Sequence, residues 1–186
     1  MFILYILVFG IFLALLEIEI EGKHWWAKNL PTWRKNKTSS LVFLRSITGY
    51  HLMLFLMILF LNHIVYIGFF GWSGIIDEIM ILAFHFVLVI YWDFLWFVLN
   101  PHFTYKKFKQ EHIPWYTDST WIVWFPIDYW YALGLAGSLV GLRFVIDGAH
   151  PIIDEFLLTC MIGMITWVGL IFISPLYHKF YNFMRQ

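Results

Sequence analysis

The sequence predicts an all-helical, polytopic membrane protein with about five transmembrane helices in a single domain, residues 1–186. The first observation is composition: 61% of the residues are hydrophobic, 22% are aromatic and only 13% are charged. Such a composition excludes an ordinary soluble domain. The second is a set of five apolar stretches, each near the length of about 20 residues that a helix needs to cross a hydrocarbon core. These stretches are residues 2–20, 45–70, 75–99, 122–145 and 156–180.

The third observation is the distribution of cationic residues, which predicts the orientation. Eleven of the twelve Lys and Arg residues lie between stretches one and two, between stretches three and four, or at the C-terminal end, and only Arg143 lies at the opposite end. Short loops rich in Lys and Arg stay in the cytoplasm. We therefore expect the N-terminus outside, the C-terminus in the cytoplasm, and a prokaryotic inner (plasma) membrane as the location.

The first stretch is expected to be a retained helix and not a cleaved signal peptide. It has no basic segment before it and no small-residue cleavage site, and it ends in Glu17, Glu19 and Glu21. Other classes are excluded by the chain as a whole. The single cysteine, Cys160, rules out a disulfide framework, and the formal net charge of zero argues against nucleic acid as a partner.

The two long connections are predicted to be amphipathic segments on the cytoplasmic interface. Indole and phenol rings beside cationic side chains favour the lipid headgroup zone. We expect these segments to act as anchors, and the alternative is a lid or an access route for an amphiphilic substrate. The aromatic residues concerned are Trp25, Trp26 and Trp33 in the first connection, and Phe103, Tyr105, Phe108, Trp115 and Tyr116 in the second.

Stretches two to four each carry one ionisable residue at a similar depth. His51, Asp93 and Asp128 lie about six residues from the cytoplasmic end of their helices, roughly 9 Å deep at the helical rise. Glu17 and His178 end stretches one and five. Such groups are costly in a bilayer and tend to face the bundle interior and to have a function. We expect a common layer with His51, Asp93 and Asp128 as catalytic groups; the alternative is structural pairing, such as Asp93 with His51.

The residue types in this layer indicate a metal site. Carboxylates and neutral imidazoles bind Zn, Fe, Mn and Cu, and an open coordination position lets the metal activate water or dioxygen. If the first helix continues through Gly22, Glu21 and His24 have the Glu-x-x-His spacing of carboxylate-bridged metal bundles. The connection after stretch three adds Glu111 and Asp118 as further candidates. The candidate ligands are Glu17, Glu21, His24, His51, Asp93, His102, His112 and His178.

A second polar cluster lies deeper in the predicted bundle. His63 and His85 come from neighbouring antiparallel stretches and lie within about one helical turn of each other in depth. Two facing imidazoles could bind a haem iron, which is the less favoured cofactor here. The alternatives are a proton relay, or a hydrogen bond of the two rings to each other or to Tyr66.

The function predicted from these residues is that of an integral membrane metalloprotein. It would be a metal-dependent hydrolase or oxidoreductase that acts on a lipid or another apolar substrate at the cytoplasmic interface. The alternatives are a transporter or channel for protons or divalent cations, and an accessory subunit of a larger membrane complex. Membrane lipids are the expected partners, and Gly134, Ser138 and Gly141 would allow close helix packing, within the chain or in a homo-oligomer.

Overall fold

The computed structural model describes residues 2–24, 26–34, 47–114, 116–117, 119–148 and 150–186. Within these ranges, five helices are long and apolar enough to cross a membrane, as the hydropathy pattern predicts. Their orientation in the membrane stays a prediction. Predictions that concern Trp25, residues 35–46, Trp115 and Asp118 lie outside the described residues. The helices are α1 (Phe2–Glu21), α2 (Gly49–Phe70), α3 (Ile75–Leu99), α4 (Ile127–Asp147) and α5 (Pro151–Met184).

Helix α3 is the centre of the bundle, because each of the other four helices packs against it. Two thirds of its most apolar stretch is buried, against a third or less in the others. Successive helices run antiparallel: the Phe2 ring contacts Phe70 and Phe84, and at the far end Arg185 pairs with Glu19. We call the end that holds residues 22–24, 26–34, 100–114, 116–117, 119–126 and the C-terminus the loop end, and the opposite end the turn end.

The helix boundaries differ from the prediction at α2, α4 and α5. Helix α2 begins at Gly49, with Thr48 as its N-cap, where the prediction had residue 45. Helix α4 begins at Ile127 and not at residue 122, because β1 (Trp121–Ile122) and β2 (Phe125–Pro126) form an antiparallel hairpin before it. Helix α5 extends from Pro151 to Met184 in place of 156–180 and runs on through Pro175. Pro151 fits the first turn, where no backbone donor is needed, and the His150 side chain accepts a hydrogen bond from the Ile152 amide.

The connection from α3 to α4 folds back against the loop end of the bundle. It contains two single-turn 3₁₀ helices, Tyr105–Lys107 and Gln110–His112. The Phe108 ring packs against Phe94 and Phe97 of α3, with ring centroids 5.1 Å and 4.9 Å apart. This part of the predicted interfacial surface is therefore turned inward.

Candidate metal site in a lateral cleft

Three buried side chains from two helices converge at the loop end. Glu17 and Glu21 lie one turn apart on α1, so their carboxylates share a face, and His51 lies in the first turn of α2. His51 Nε2 is 3.9 Å from Glu17 Oε1 and 3.6 Å from Glu21 Oε1. One ligand atom from each residue lies within 4.8 Å of the others. Their exposed fractions are 7%, 7% and 2%, so the three groups form a compact, buried cluster.

The His51 ring is fixed by neighbours on two sides. Thr48, the N-cap residue of α2, places its Oγ1 atom 2.8 Å from His51 Nδ1. The Trp26 indole stacks on the imidazole, with ring centroids 4.1 Å apart and planes at 22°. Because Nδ1 is held by Thr48, Nε2 is the nitrogen that faces the carboxylates. A hydrogen bond on the distal nitrogen is the usual way to orient a metal-binding imidazole.

A reversal of the chain at Gly22 brings Trp26 to this position. Gly22 has φ +58° and ends α1, a conformation that glycine adopts at no steric cost. Beyond this turn, the amide of Ala27 donates a hydrogen bond to Glu21 Oε1. The turn also carries His24 off the helix, so the condition for a Glu-x-x-His pair on a continuous helix is not met.

The cluster lies at one end of a cleft of about 940 Å³. Helix α3 forms its floor, and α2 and α4 form its sides. The carboxylates and the His51 imidazole lie at the loop end, His85 lies farther along α3, and most of the remaining surface is apolar. The apolar lining includes Phe55, Phe86, Val89, Ile90 and Leu135.

A second pair of carboxylates lines the same cleft. These are Asp93 of α3 and Asp128 of α4. The Tyr129 hydroxyl donates a hydrogen bond to Asp93 Oδ2, and Tyr116 reaches the cleft from the folded-back connection. Burial and the nearby carboxylates of Asp93 and Asp128 hold the pKa of the Tyr116 hydroxyl well above its usual value. Tyr116 therefore stays protonated and able to donate at neutral pH.

The electrostatics of the cleft favour a cation. The carboxylates of Glu17, Glu21 and Asp93 are close enough to repel one another. Buried like charges are costly unless they are protonated or bind a cation. Arg34 acts on Glu21 from the edge of the cluster, but its guanidinium donates to the carbonyl oxygens of Trp26 and Ala27. A divalent ion between the three ligand atoms would offset the repulsion more directly.

Five predicted ligands lie outside the Glu17–Glu21–His51 group, and one of them, Asp93, lines the same cleft. His178 Nε2 is 3.1 Å from the carbonyl oxygen of Leu99, which occupies one of its ring nitrogens. His102 and His112 are exposed in the connection, and His24 lies beyond the end of α1. Partial burial, Arg185 and Lys23 lower the pKa of the His102 imidazole, so this ring is neutral at neutral pH.

The two histidines of the predicted haem pair each have other hydrogen-bond partners. His63 Nδ1 is 2.7 Å from the carbonyl oxygen of Leu59, and Nε2 is 2.8 Å from Glu78 Oε2. An axial role for His63 would break one of these contacts. His85 lines the cleft and contacts Asn62 instead.

Three residues that contribute to the site were not predicted for it: Thr48, Trp26 and Tyr129. Thr48 could have been found, because a threonine just before an apolar helical run is a typical N-cap. Trp26 gave no such signal, since its position depends on the chain reversal at Gly22. Tyr129 depends on how α4 is rotated against α3, which hydropathy does not determine.

The chain matches no protein-family model, no curated protein and no solved structure. The function is therefore argued from the geometry of this cleft.

Proposed function

We propose that the protein is an integral membrane metalloenzyme whose divalent transition metal is held by Glu17, Glu21 and His51. The observation that carries the proposal is the convergence of these three buried ligands within 4.8 Å at the end of an apolar cleft. The cytoplasmic side of a prokaryotic inner membrane is the proposed location, on the basis of the basic loop end.

The chemistry of the three ligands narrows the choice of metal. One imidazole and two carboxylates are typical of sites for Fe and Mn, and they also suit Zn. Three protein ligands leave at least one coordination position open, which is what a hydrolytic or an oxidative reaction requires. In this proposal the three ligands orient the open coordination position toward the cleft.

The facing side of the cleft supplies groups for proton transfer. Asp93 and Asp128 are the candidate bases, and Tyr129 and Tyr116 are hydroxyl donors beside them. In a cleft with mostly apolar walls, a carboxylate can exchange protons with a substrate without competition from bulk water.

The position of the cleft indicates an apolar substrate. Tyr131 and Leu135 line it from α4 and are also 61% and 47% exposed. Both lie within a helix that is long and apolar enough to cross a membrane. A lipid or another apolar molecule could therefore reach the cleft sideways from the bilayer.

Metal analysis of the purified protein tests the proposal. Protein purified in detergent without chelators or nickel resin should contain about one Fe, Mn or Zn per chain by elemental mass spectrometry. Glu17→Gln, Glu21→Gln and His51→Ala should each lower that content by about tenfold or more, because each removes one of three ligands.

The ion pair of His63 and Glu78 at the turn end supplies matched controls. His63→Ala and Glu78→Gln remove the same functional groups from a membrane helix but lie outside the cluster, so both should keep the metal. Full metal content in the double variant Glu17→Gln/His51→Ala would contradict the proposal. So would wild-type protein that takes up none of the three metals on reconstitution.

A further inference from the structure

His85 of α3 is a buried polar residue that lines the cleft but has no role in the proposed metal chemistry. It lines the cleft wall together with Phe86 and Val89 and is 9% exposed. Its Nδ1 atom lies 3.4 Å from Asn62 Nδ2. Its other ring nitrogen, Nε2, is the one left for the cleft.

A chain of hydrogen bonds determines which proton His85 carries. The Tyr5 hydroxyl donates to Asn62 Oδ1 at 2.8 Å, and this contact orients the amide so that Nδ2 faces His85. An amide NH₂ group can only donate, so His85 Nδ1 must accept. The neutral ring therefore carries its proton on Nε2 and presents an N–H donor.

The distance from the polar loop end of the cleft indicates what this donor would contact. His85 precedes Asp93 by eight residues on α3, which is about 12 Å at the helical rise. Apolar side chains, including Phe86, Val89 and Ile90, line the cleft between these two depths. The cleft thus has a polar loop end, an apolar middle and, farther along, His85 and the hydroxyl of Ser138, which donates within α4 to the Gly134 carbonyl oxygen.

We propose that His85 is a binding site for a hydrogen-bond acceptor, such as a carbonyl or ether oxygen, within the body of an amphiphilic ligand. The ligand's reactive end would lie at the metal cluster and its apolar segment along the middle of the cleft. A plain hydrocarbon would leave the buried His85 donor unpaired, which is costly, so this site selects oxygen-bearing lipids. The proposal shares its cleft with the proposed function but does not require that a metal be bound.

Binding of two matched probes tests the site in the detergent-purified full chain. The probes are methyl palmitate, labelled with ¹³C at its carbonyl, and an alkane of the same chain length. Wild-type protein should prefer the ester over the alkane by about two- to tenfold more than His85→Phe does, the range expected for one hydrogen bond. The comparison of both proteins with both probes cancels the different solubility of the probes in micelles.

The ¹⁵N chemical shifts of the His85 ring supply a second readout. They report the tautomer directly, so an altered stability of the variant protein does not imitate the effect. With ¹⁵N-labelled histidine, the His85 signal should be that of the Nε2–H form and should shift on addition of the ester but not of the alkane. Tyr5→Phe removes the contact that orients Asn62, so it should mix the two tautomers while the protein stays folded.

Two results would overturn the site. One is an equal preference for the ester over the alkane in wild type and in His85→Phe. The other is a His85 ring that carries its proton on Nδ1, so that Nε2 can only accept a hydrogen bond. Metal content separates this proposal from the previous one. If Glu17→Gln loses metal but keeps the ester preference, the His85 site stands by itself. If His85→Phe keeps its metal and loses the preference, both proposals are supported.

Discussion

Thr48 has two roles in this structure, and they can be separated. Its hydroxyl caps α2 by accepting from the His51 amide at 3.3 Å, and it also holds His51 Nδ1 at 2.8 Å. A hydroxyl can accept from an Nδ1–H or donate to a bare Nδ1. The Thr48 hydroxyl can therefore keep its hydrogen bond when the His51 proton moves to Nδ1 and leaves Nε2 free to bind a metal.

Replacement of Thr48 should weaken metal binding without removing a ligand. We expect Thr48→Val to lower metal affinity by about tenfold, because the imidazole loses its orienting partner, and to cost about 1 kcal/mol through loss of the cap. Thr48→Ser keeps the hydroxyl and should keep both properties. Competition with a fluorescent chelator measures the affinity; equal affinities for the two variants would rule out the orienting role.

The individual ligands were only partly predictable. Counting residues from the helix ends gives the depth of each side chain along the bundle. Glu17, His51 and Asp93 were predicted at a similar depth, and they line one cleft. Depth does not give the direction in which a side chain points. His178 has a suitable depth but faces the end of α3, where it contacts Leu99. Whether Glu17, His51 and the other candidates bind a metal stays a prediction.

At the scale of elements, the packing of α1 and α5 on α3 depends on one aromatic ring. Tyr91 of α3 lies between Gly10 of α1 and Gly163 of α5. A β-carbon at Gly10 would lie 2.5 Å from Tyr91 Cδ1, whereas one at Gly163 would lie 3.7 Å from Cδ2. The first distance is a clash and the second an ordinary contact. Small residues allow membrane helices to approach closely in this way.

The two glycines should therefore respond differently to the same substitution. Gly10→Ala should destabilise the protein by about 1–3 kcal/mol, since the buried Tyr91 ring must move. Gly163→Ala should be neutral or stabilise by up to about 1 kcal/mol through helix propensity. Thermal unfolding in dodecyl maltoside measures both. The packing would differ from that described if Gly10→Ala were as stable as Gly163→Ala.

The turn end contains a buried acid and a buried cation of unequal importance. Asp77, in the first turn of α3, accepts from the Ser73 amide, the Ser73 hydroxyl and the Tyr66 hydroxyl. Arg143 of α4 donates to Asp147 at 2.9 Å and is 4.0 Å from Asp77. Its Nε and Nη1 atoms are buried and have no hydrogen-bond partner among the described residues.

These contacts predict that the acid matters more for stability than the cation. Asp77→Leu should cost about 2–4 kcal/mol, because it leaves three donors without their acceptor. Arg143→Met should cost less than Asp77→Leu, because Arg143 lies 4.0 Å from Asp77 and the Asp77 carboxylate keeps its three hydrogen-bond donors. Thermal unfolding of the two variants side by side measures the difference, and a larger loss for Arg143→Met would reverse the ranking.

Helix existence was easier to predict than helix ends. Hydropathy identified all five helices, because length and apolar content are properties of a window of sequence. It placed the start of the fourth helix too early, at residue 122, because Ile122 and Val123 are apolar although they belong to a hairpin. It missed the first turn of α5, because Asp154 and Glu155 lower the hydropathy there even though Pro151 and His150 begin the helix.

For the whole molecule, orientation in the membrane is the next property to measure. The cationic loop end predicts a cytoplasmic location for the connection before α4. In a Cys160→Ser background, an impermeant maleimide should label Asp154→Cys in intact spheroplasts, and Lys107→Cys only after permeabilisation. Both positions are exposed. The reverse pattern would place the loop end outside and move the cleft to the opposite side of the membrane.

The side opening of the cleft affects how a ligand's concentration must be counted. Tyr131 and Leu135 line the cleft within the length of α4 that can cross a membrane, so under the proposed function an arriving ligand would already be dissolved in lipid. The relevant quantity is then its mole fraction in the bilayer and not its molarity in water. Addition of inert lipid would lower occupancy of the cleft at constant total ligand, whereas addition of buffer would not. With the proposed function, the protein would respond to the lipid composition of its membrane and not to the solution around it.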